Sequence, residues 1–361
     1  MLAEHAADLA LVYGFDRSGT AVPWLTGWPV TREAALVFRP GERDVLFVSY
    51  DNHVPNARLL AADADVRPGG RSALGAALDW IADSAPRPER LALIGPVAAR
   101  AGPLLAAAAK QIVFLDAEYT RLRLVKSAEE VGWLRRGARL TDDAVTALAA
   151  AARPGMTEAE CCASLESAYI AAGGLTHIHY LGATPMGDPS VCVPAQWPST
   201  RALRPGDALT CEVSASYHGY PGQLLRTFTI AAEATPRYRD LHDVAEAAFG
   251  AITSGLRPGA TARELSEAAA EVILGGGYTV HDDLIHGYGG GYLPPVVSRA
   301  DLETGQAPDF AFAPGMTVVI QPNVITPDER AGVQTGELVL VTGTGWEPLH
   351  RYPRGMARIG G

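Results

Sequence analysis

Cysteine is scarce in this chain of 361 residues: there are four, Cys161, Cys162, Cys192 and Cys211, two of them adjacent. That number and spacing exclude a CxxC metal motif and a disulfide framework. Basic residues are outnumbered, 30 against 40 acidic for a net charge of −10, so the electrostatic footprint of a nucleic-acid binder is missing. No apolar run is long enough to span a bilayer, because the alanine-rich stretches are short or broken by charge. At the N-terminus, Glu4, His5 and Asp8 stand where a secretory leader would carry a basic patch and an unbroken apolar core. These absences point to a cytoplasmic protein with neither a nucleic-acid nor a membrane partner, and they say little about the substrate.

What is present is enough apolar sequence, 48%, to build the cores of two ordinary domains. Residues 1–122 read as an α/β unit. Strand-like runs at Ala34–Phe38, Val45–Ser49, Leu91–Ile94 and Ile112–Leu115 alternate with helical stretches at Arg71–Ser84 and Val97–Lys110. Within it the aromatic-bracketed turn Trp24–Trp28 either packs in the core or borders a partner subunit's pocket.

Residues 123–361 carry a duplicated pattern. Ser127 with Glu130 forms a capping box that should start a long helix running to about Ala152. Arg153-Pro154-Gly155 leads into a second box, Thr157 with Glu160, and Arg257-Pro258-Gly259 leads into a third, Thr261 with Glu264. A second echo follows in the same order: Pro205-Gly206 and Pro314-Gly315 each feed an alternating apolar run, with Glu212 and Gln321 seven residues past the respective prolines. Two echoes with nearly equal offsets predict an internal repeat of helix and hairpin, whose sheets merge and whose helices cover one face.

The uncovered face is then a cleft lined by the polar residues of otherwise apolar strands, Glu212, Gln223, Gln321 and Glu337, with His286 from the linking segment. Each has a structural reading as well. Glu212 could pair with Arg226, Gln223 and Gln321 could tie the half-sheets together, and His286 could bond a carbonyl in its glycine-rich surroundings. His177 and His179 alternate on a strand-like run and should share a face, as a proton shuttle or as substrate contacts. His218, Tyr220, Asn323 and Arg201 are further candidates for pocket polarity, while His281-Asp282-Asp283 is expected in a solvated loop.

Several of these motifs carry a resemblance. The Trp24-Leu25-Thr26-Gly27 turn, the run from Leu122 to Glu130, the turn from Arg153 to Glu158 and the hairpin from Gly219 to Thr227 are similar to those of the pita-bread superfamily of methionine aminopeptidase, prolidase, Xaa-Pro aminopeptidase and creatinase. The resemblance implies an α/β creatinase-like N-terminal domain over residues 1–122, an α+β pita-bread catalytic domain with internal duplication over residues 123–361, and a homodimer. It also carries the metallopeptidases' ligand set onto this chain in altered form. Their two Asp positions fall on Glu212 and Gln223, their His on His286, and their two Glu on Gln321 and Gly336, with Glu337 directly after. Their substrate-side histidines fall near Ala195 and Leu293.

Two divalent ions need about four carboxylates for neutrality, and only Glu212 stands in register. The resemblance with these departures therefore implies no cofactor, and a metal-independent hydrolase or lyase, creatinase-like, acting on a C–N bond of a small amide, amidine or amino-acid-derived substrate. His286 would carry the proton with Glu212 and Glu337 as its acidic partners, and Gln223, Gln321, His177, His179, Tyr220, Asn323 and Arg226 would contact substrate. Two alternatives stay open. One is a metal-dependent Xaa-Pro aminopeptidase or dipeptidase with a single divalent metal on Glu212, His286 and Glu337; the other is a non-catalytic peptide-binding protein.

Overall fold

Leu9–Phe15 is apolar at almost every position, the mark of a strand buried on both faces, and its alternate residues do enter two different cores. The computed structural model describes residues 1–84 and 86–361. The chain divides into two units, Met1–Arg123 and Leu124–Gly361. In the first, chain order is β1 (Leu9–Phe15), α1 (Ala21–Thr26), β2 (Glu33–Phe38), β3 (Val45–Val48), α2 (Val54–Leu60), β4 (Asp65–Pro68), α3 (Ala73–Ala82), β5 (Arg90–Ile94), α4 (Gly102–Ala108), β6 (Gln111–Phe114) and α5 (Asp116–Leu122). The strands form one mixed sheet in the order β4-β3-β2-β1-β5-β6. Trp24 to Thr26 lie in α1, which Gly27 ends at φ 72°, a left-handed conformation that costs glycine little, and Trp28 is buried in the core.

The second unit opens on α6 (Ala128–Ala151) and α7 (Glu158–Ile170), each started by the capping box the sequence predicts. Ser127 Oγ accepts from Glu130 N at 3.2 Å while Glu130 Oε2 accepts from Ser127 N at 2.8 Å. Each such cap stabilises its helix by about 1 kcal/mol. Strands β7 (Leu175–Pro185), β8 (Asp207–Tyr217), β9 (Tyr220–Pro221) and β10 (Leu224–Ile230) follow. The second copy has α8 (Pro236–Gly255) and α9 (Ala262–Ile273), the latter with its box at Thr261 and Glu264. After them come β11 (Thr279–Val280), β12 (Ile285–Tyr288), β13 (Tyr292–Val297), α10 (Arg299–Thr304), β14 (Thr317–Ile320), β15 (Val324–Ile325) and β16 (Gly336–Val341).

The main path of the large sheet runs β13-β12-β14-β16-β10-β8-β7. β12-β14-β16 thus mirrors β7-β8-β10 across the β16/β10 seam, which is the duplication in spatial form. Each half buries one face against its own helices: α6 and α7 cover Leu209, Val213 and Leu224, while α8 and α9 cover Ile285, Ile320 and Val339. α6 crosses the β8–β10 connection at backbone contact, because a Cβ on Gly137 would lie 2.4 Å from the Tyr220 carbonyl oxygen. Thr141 Oγ1 accepts from Ala215 N at 3.0 Å and locks that crossing to β8. Among the described residues, no helix is long and apolar enough to cross a membrane.

Candidate functional site

One row of paired residues crosses the sheet: His179 on β7, Val213 on β8, Leu224 on β10, Glu337 on β16, Ile320 on β14 and Ile285 on β12. Val213, Leu224, Ile320 and Ile285 lie in the cores beneath the helices, so this row marks the covered face. The residue next along each strand turns the other way. Those residues are Tyr180, Glu212, Leu225, Gly336, Gln321 and His286, with Gln223 two places before Leu225.

The structure brings four of the sequence candidates together there. Gln223 Nε2 donates to Glu212 Oε1 at 2.6 Å and to Gln321 Oε1 at 3.2 Å. Gln321 in turn acts on the ring of His286, whose Nδ1 lies 3.3 Å from the Gly287 carbonyl. Glu212 is therefore joined to Gln321 through Gln223, with one amide from each copy of the repeat. The oxygen of the Gln223 amide, buried with the rest of that side chain, has no partner. Tyr292 stacks on His286 with ring centroids 4.0 Å apart and planes at 16°, and Tyr288 meets the same ring edge-on at 5.3 Å.

Burial sets the charge states. It pushes the Glu212 carboxyl up to about 8, helped by the nearby Asp282 carboxylate, and pushes the His286 imidazole down to about 4 against smaller opposing effects of Gly287 and Gln321. At neutral pH the ring is neutral and able to accept a proton, and the carboxyl holds its own. Tyr288 and Tyr292 are raised by the same burial, Tyr292 also by its hydrogen bond to Asp283.

Several expected site residues lie elsewhere. Glu337 belongs to the covered row, where its carboxylate takes Arg226 Nη2 at 2.8 Å; a one-residue offset has put it on the opposite face from Glu212. Arg226 pairs with Glu337 and not with Glu212. Its remaining donors go to the carbonyls of Leu225, Gly336, Tyr352 and Pro353 at 2.9, 2.8, 3.2 and 3.0 Å, which leaves none for a substrate. His177 and His179 do not share a face, because a bulge between Thr176 and Ile178 resets the alternation. His179 is buried against Tyr169, 3.3 Å from its hydroxyl, whereas His177 meets the ring of Tyr288 at 5.9 Å.

Tyr220 sits at the hairpin end with its hydroxyl on Glu130 at 3.0 Å, His218 in the same turn lies over Trp133, and Arg201 is held by Asp207 at 2.7 and 2.9 Å. Asn323 is fully buried and donates to Asp282 at 3.2 Å. Asp282 is accordingly not a solvated loop residue, since Gln334 reaches it as well, at 3.4 Å. Sequence reasoning also passed over Ser214, Tyr288 and Tyr292. The first two stand two residues beyond Glu212 and His286 on their strands, so the same alternation could have found them.

Residues 132–343 match the model of Metallopeptidase family M24. The Probable dipeptidase PepE of Mycobacterium tuberculosis is 29% identical over 237 residues, 64% of this chain, and the chain spans 60% of the length of that curated relative. Among solved structures, the prolidase from Pyrococcus furiosus has a TM-score of 0.81 at 20% identity, covering 98% of this chain and 99% of that one. The X-Pro aminopeptidase from Thermotoga maritima MSB8 has a TM-score of 0.85 at 18% identity, covering 99% and 97%. At these identities the structures show the fold, an α/β first unit followed by the pita-bread sheet.

The match to a metallopeptidase family overturns the expectation of a chain with no metal cofactor and of chemistry defined as metal-independent. It also exposes a mismatch in the donors. Among the described residues, no group of three or more His, Cys, Asp or Glu is placed to hold a metal ion. Two of the five positions are amides that bond to each other, and the fifth, Gly336, is closed to any side chain because a Cβ there would lie 2.3 Å from the Ile320 carbonyl oxygen. Glu337, next to Gly336 in the chain, faces away. These residues do not fit a pair of divalent ions.

Proposed function

Because the chain belongs to metallopeptidase family M24, we propose that it hydrolyses the C–N amide bond of a small peptide-like substrate, of the dipeptide class, on the inner face of the large sheet. The single observation that carries this reading is the buried His286 on the same face as the hydrogen-bonded chain Glu212–Gln223–Gln321. The names of the relatives, a dipeptidase, a prolidase and an X-Pro aminopeptidase, support the substrate class.

His286 removes a proton from the attacking water as its oxygen bonds to the substrate carbonyl carbon, and returns that proton to the nitrogen as the C–N bond breaks. An acid and an amine leave, and the ring ends as it began. The amides of Gln223 and Gln321 orient the substrate, and Glu212 anchors it. Residues 1–122 are proposed as a creatinase-like domain and residues 123–361 as the catalytic one, in a cytosolic homodimer. Support for these is the resemblance of the motifs at Trp24–Gly27 and Leu122–Glu130.

The test is turnover of a panel of dipeptides, Xaa-Pro dipeptides included, with and without added divalent ions. His286→Ala should lower turnover about 10²–10⁴-fold with the circular dichroism spectrum unchanged. No hydrolysis of any dipeptide or amino-acid amide under either condition, or full activity in His286→Ala, would sink the reading.

A further inference from the structure

Away from the inner face, a cleft of about 600 Å³ opens beside α6, between that helix and residues 351–353. Three guanidinium groups line it, those of Arg136 and Arg139 on α6 and of Arg351 on the facing segment. The two on α6 stand three residues apart and so share a helix face. All three arginines are exposed, and among the described residues none of them forms an ion pair, whereas their neighbours Arg135 and Arg354 pair with Glu347 and Glu246. Two carboxylates also border the cleft. Asp142 is spent, with Oδ1 on His350 Nδ1 at 2.8 Å and Oδ2 accepting from Arg351 N at 2.7 Å. Asp143 is exposed and pairs with none of the three arginines.

The walls are held in place. Arg136 Nη2 donates to the Ala172 carbonyl at 3.3 Å, and its guanidinium lies 4.7 Å over the ring of Tyr217. On the other side Arg226 donates to the carbonyls of Tyr352 and Pro353, and α6 itself is locked to β8 through Thr141. A cleft fixed in advance loses little freedom when it is filled. In a chain of net charge −10, three unpaired cations around one concave space form an electrostatic trap for an anion.

We propose that this cleft binds an organic phosphomonoester, with the phosphate among Arg136, Arg139 and Arg351 and the carbon body against Leu140, Tyr352 and Pro353. A guanidinium fork matches phosphate oxygens two at a time, and a phosphate brings three acceptor oxygens and a charge of about −1.5 to −2 at pH 7, where a carboxylate brings two oxygens and one charge. The cleft has the size of a small-molecule pocket and far exceeds an inorganic ion, and buried Leu140 and half-buried Tyr352 give it an apolar wall. Because α6 lies on the covered face of the sheet, this ligand is separate from any substrate of the inner face, and the inference stands apart from the hydrolase reading.

The experiment is calorimetric titration of the full chain at pH 7 and constant ionic strength with glucose 6-phosphate, adenosine 5′-monophosphate, inorganic phosphate, glucose and adenosine. The expected result is saturable binding of at least one of the two phosphomonoesters, weaker binding of inorganic phosphate, and none of glucose or adenosine. The double variant Arg139→Gln/Arg351→Gln should weaken the phosphomonoester about tenfold or more, while Arg135→Gln, which removes a neighbouring but paired charge, should bind as wild type. Binding of neither phosphomonoester, equal affinity for glucose or adenosine, or equal affinity for inorganic phosphate would overturn the proposal, as would equal weakening in Arg135→Gln and the double variant. The comparison of the five compounds needs only the unsubstituted chain, so it decides even if a variant fails to fold.

Discussion

Glu337 and Glu212 lie on neighbouring rows of one sheet, on opposite faces, and they have been treated in opposite ways. On the covered face, Glu337 receives Arg226 at 2.8 Å, and the other guanidinium donors are consumed by four backbone carbonyls. On the inner face, Glu212 receives one amide, sees another carboxylate, and is pushed up to about 8. The difference teaches where the chain keeps unspent interaction. A saturated ion pair holds the β10/β16 seam together, whereas an unsaturated carboxyl leaves room for a ligand to complete it. Nothing about the residue type distinguishes the two; the phase of the strand does.

The largest way to break this comparison is to unbalance the saturated side. Glu337→Leu strands the buried Arg226 guanidinium, with Arg354 Nη1 also 3.8 Å from the lost carboxylate. It should cost about 3–5 kcal/mol in urea unfolding, the usual penalty for an uncompensated buried charge. The double variant Arg226→Leu/Glu337→Leu should recover a large part of that loss. A single-variant cost under about 1 kcal/mol would mean that the pair does not hold the seam.

The unsaturated side should respond with the opposite sign. The Glu212 carboxyl has its pKa raised from 4.5 to about 8 on folding, so the folded chain binds its proton more tightly than the unfolded one. The contribution is fully present below pH 4.5 and is lost as pH rises through about 8. Glu212→Gln should flatten that limb and make the protein more stable than wild type at pH 8.5 by about 2 kcal/mol, with little difference at pH 4.5. Melting temperatures across this range check it, and equal pH slopes in the two proteins would show that Glu212 is not buried as described.

How much of this could be read in the sequence follows from the same phase argument. The proline-glycine turns at Pro205 and Pro314 fix where their strands begin, so the equal count from each brings Glu212 and Gln321 to matching positions without coordinates. The capping boxes fix the helices just as locally. Glu337 obeys the same count: one residue past Gly336 it turns to the opposite face, where the Arg226 pair keeps it from serving as an acidic partner of His286. The bulge at His177 is of another kind. It inserts a residue without any glycine or proline to announce it, and it separates two histidines that simple alternation places together. Asp282 was missed because its partners, Asn323 and Gln334, arrive from 41 and 52 residues away.

That bulge gives the finest test of the two faces. His179, on the covered side, is buried and pushed down to about 4, so it stays neutral in the folded chain while its unfolded counterpart titrates near 6.5. Its share of stability is present above pH 6.5 and is lost as pH falls towards 4, because the unfolded state takes up the proton first. His179→Ala should cost about 1 kcal/mol at pH 7, through the lost packing on Tyr169, and less at pH 5 as wild type gives up that share. His177→Ala, exposed and on the other side of the bulge, should stay within about 0.5 kcal/mol at both pH values. Parallel losses in the two variants would mean that the histidines share a face after all and that the strand runs without its extra residue.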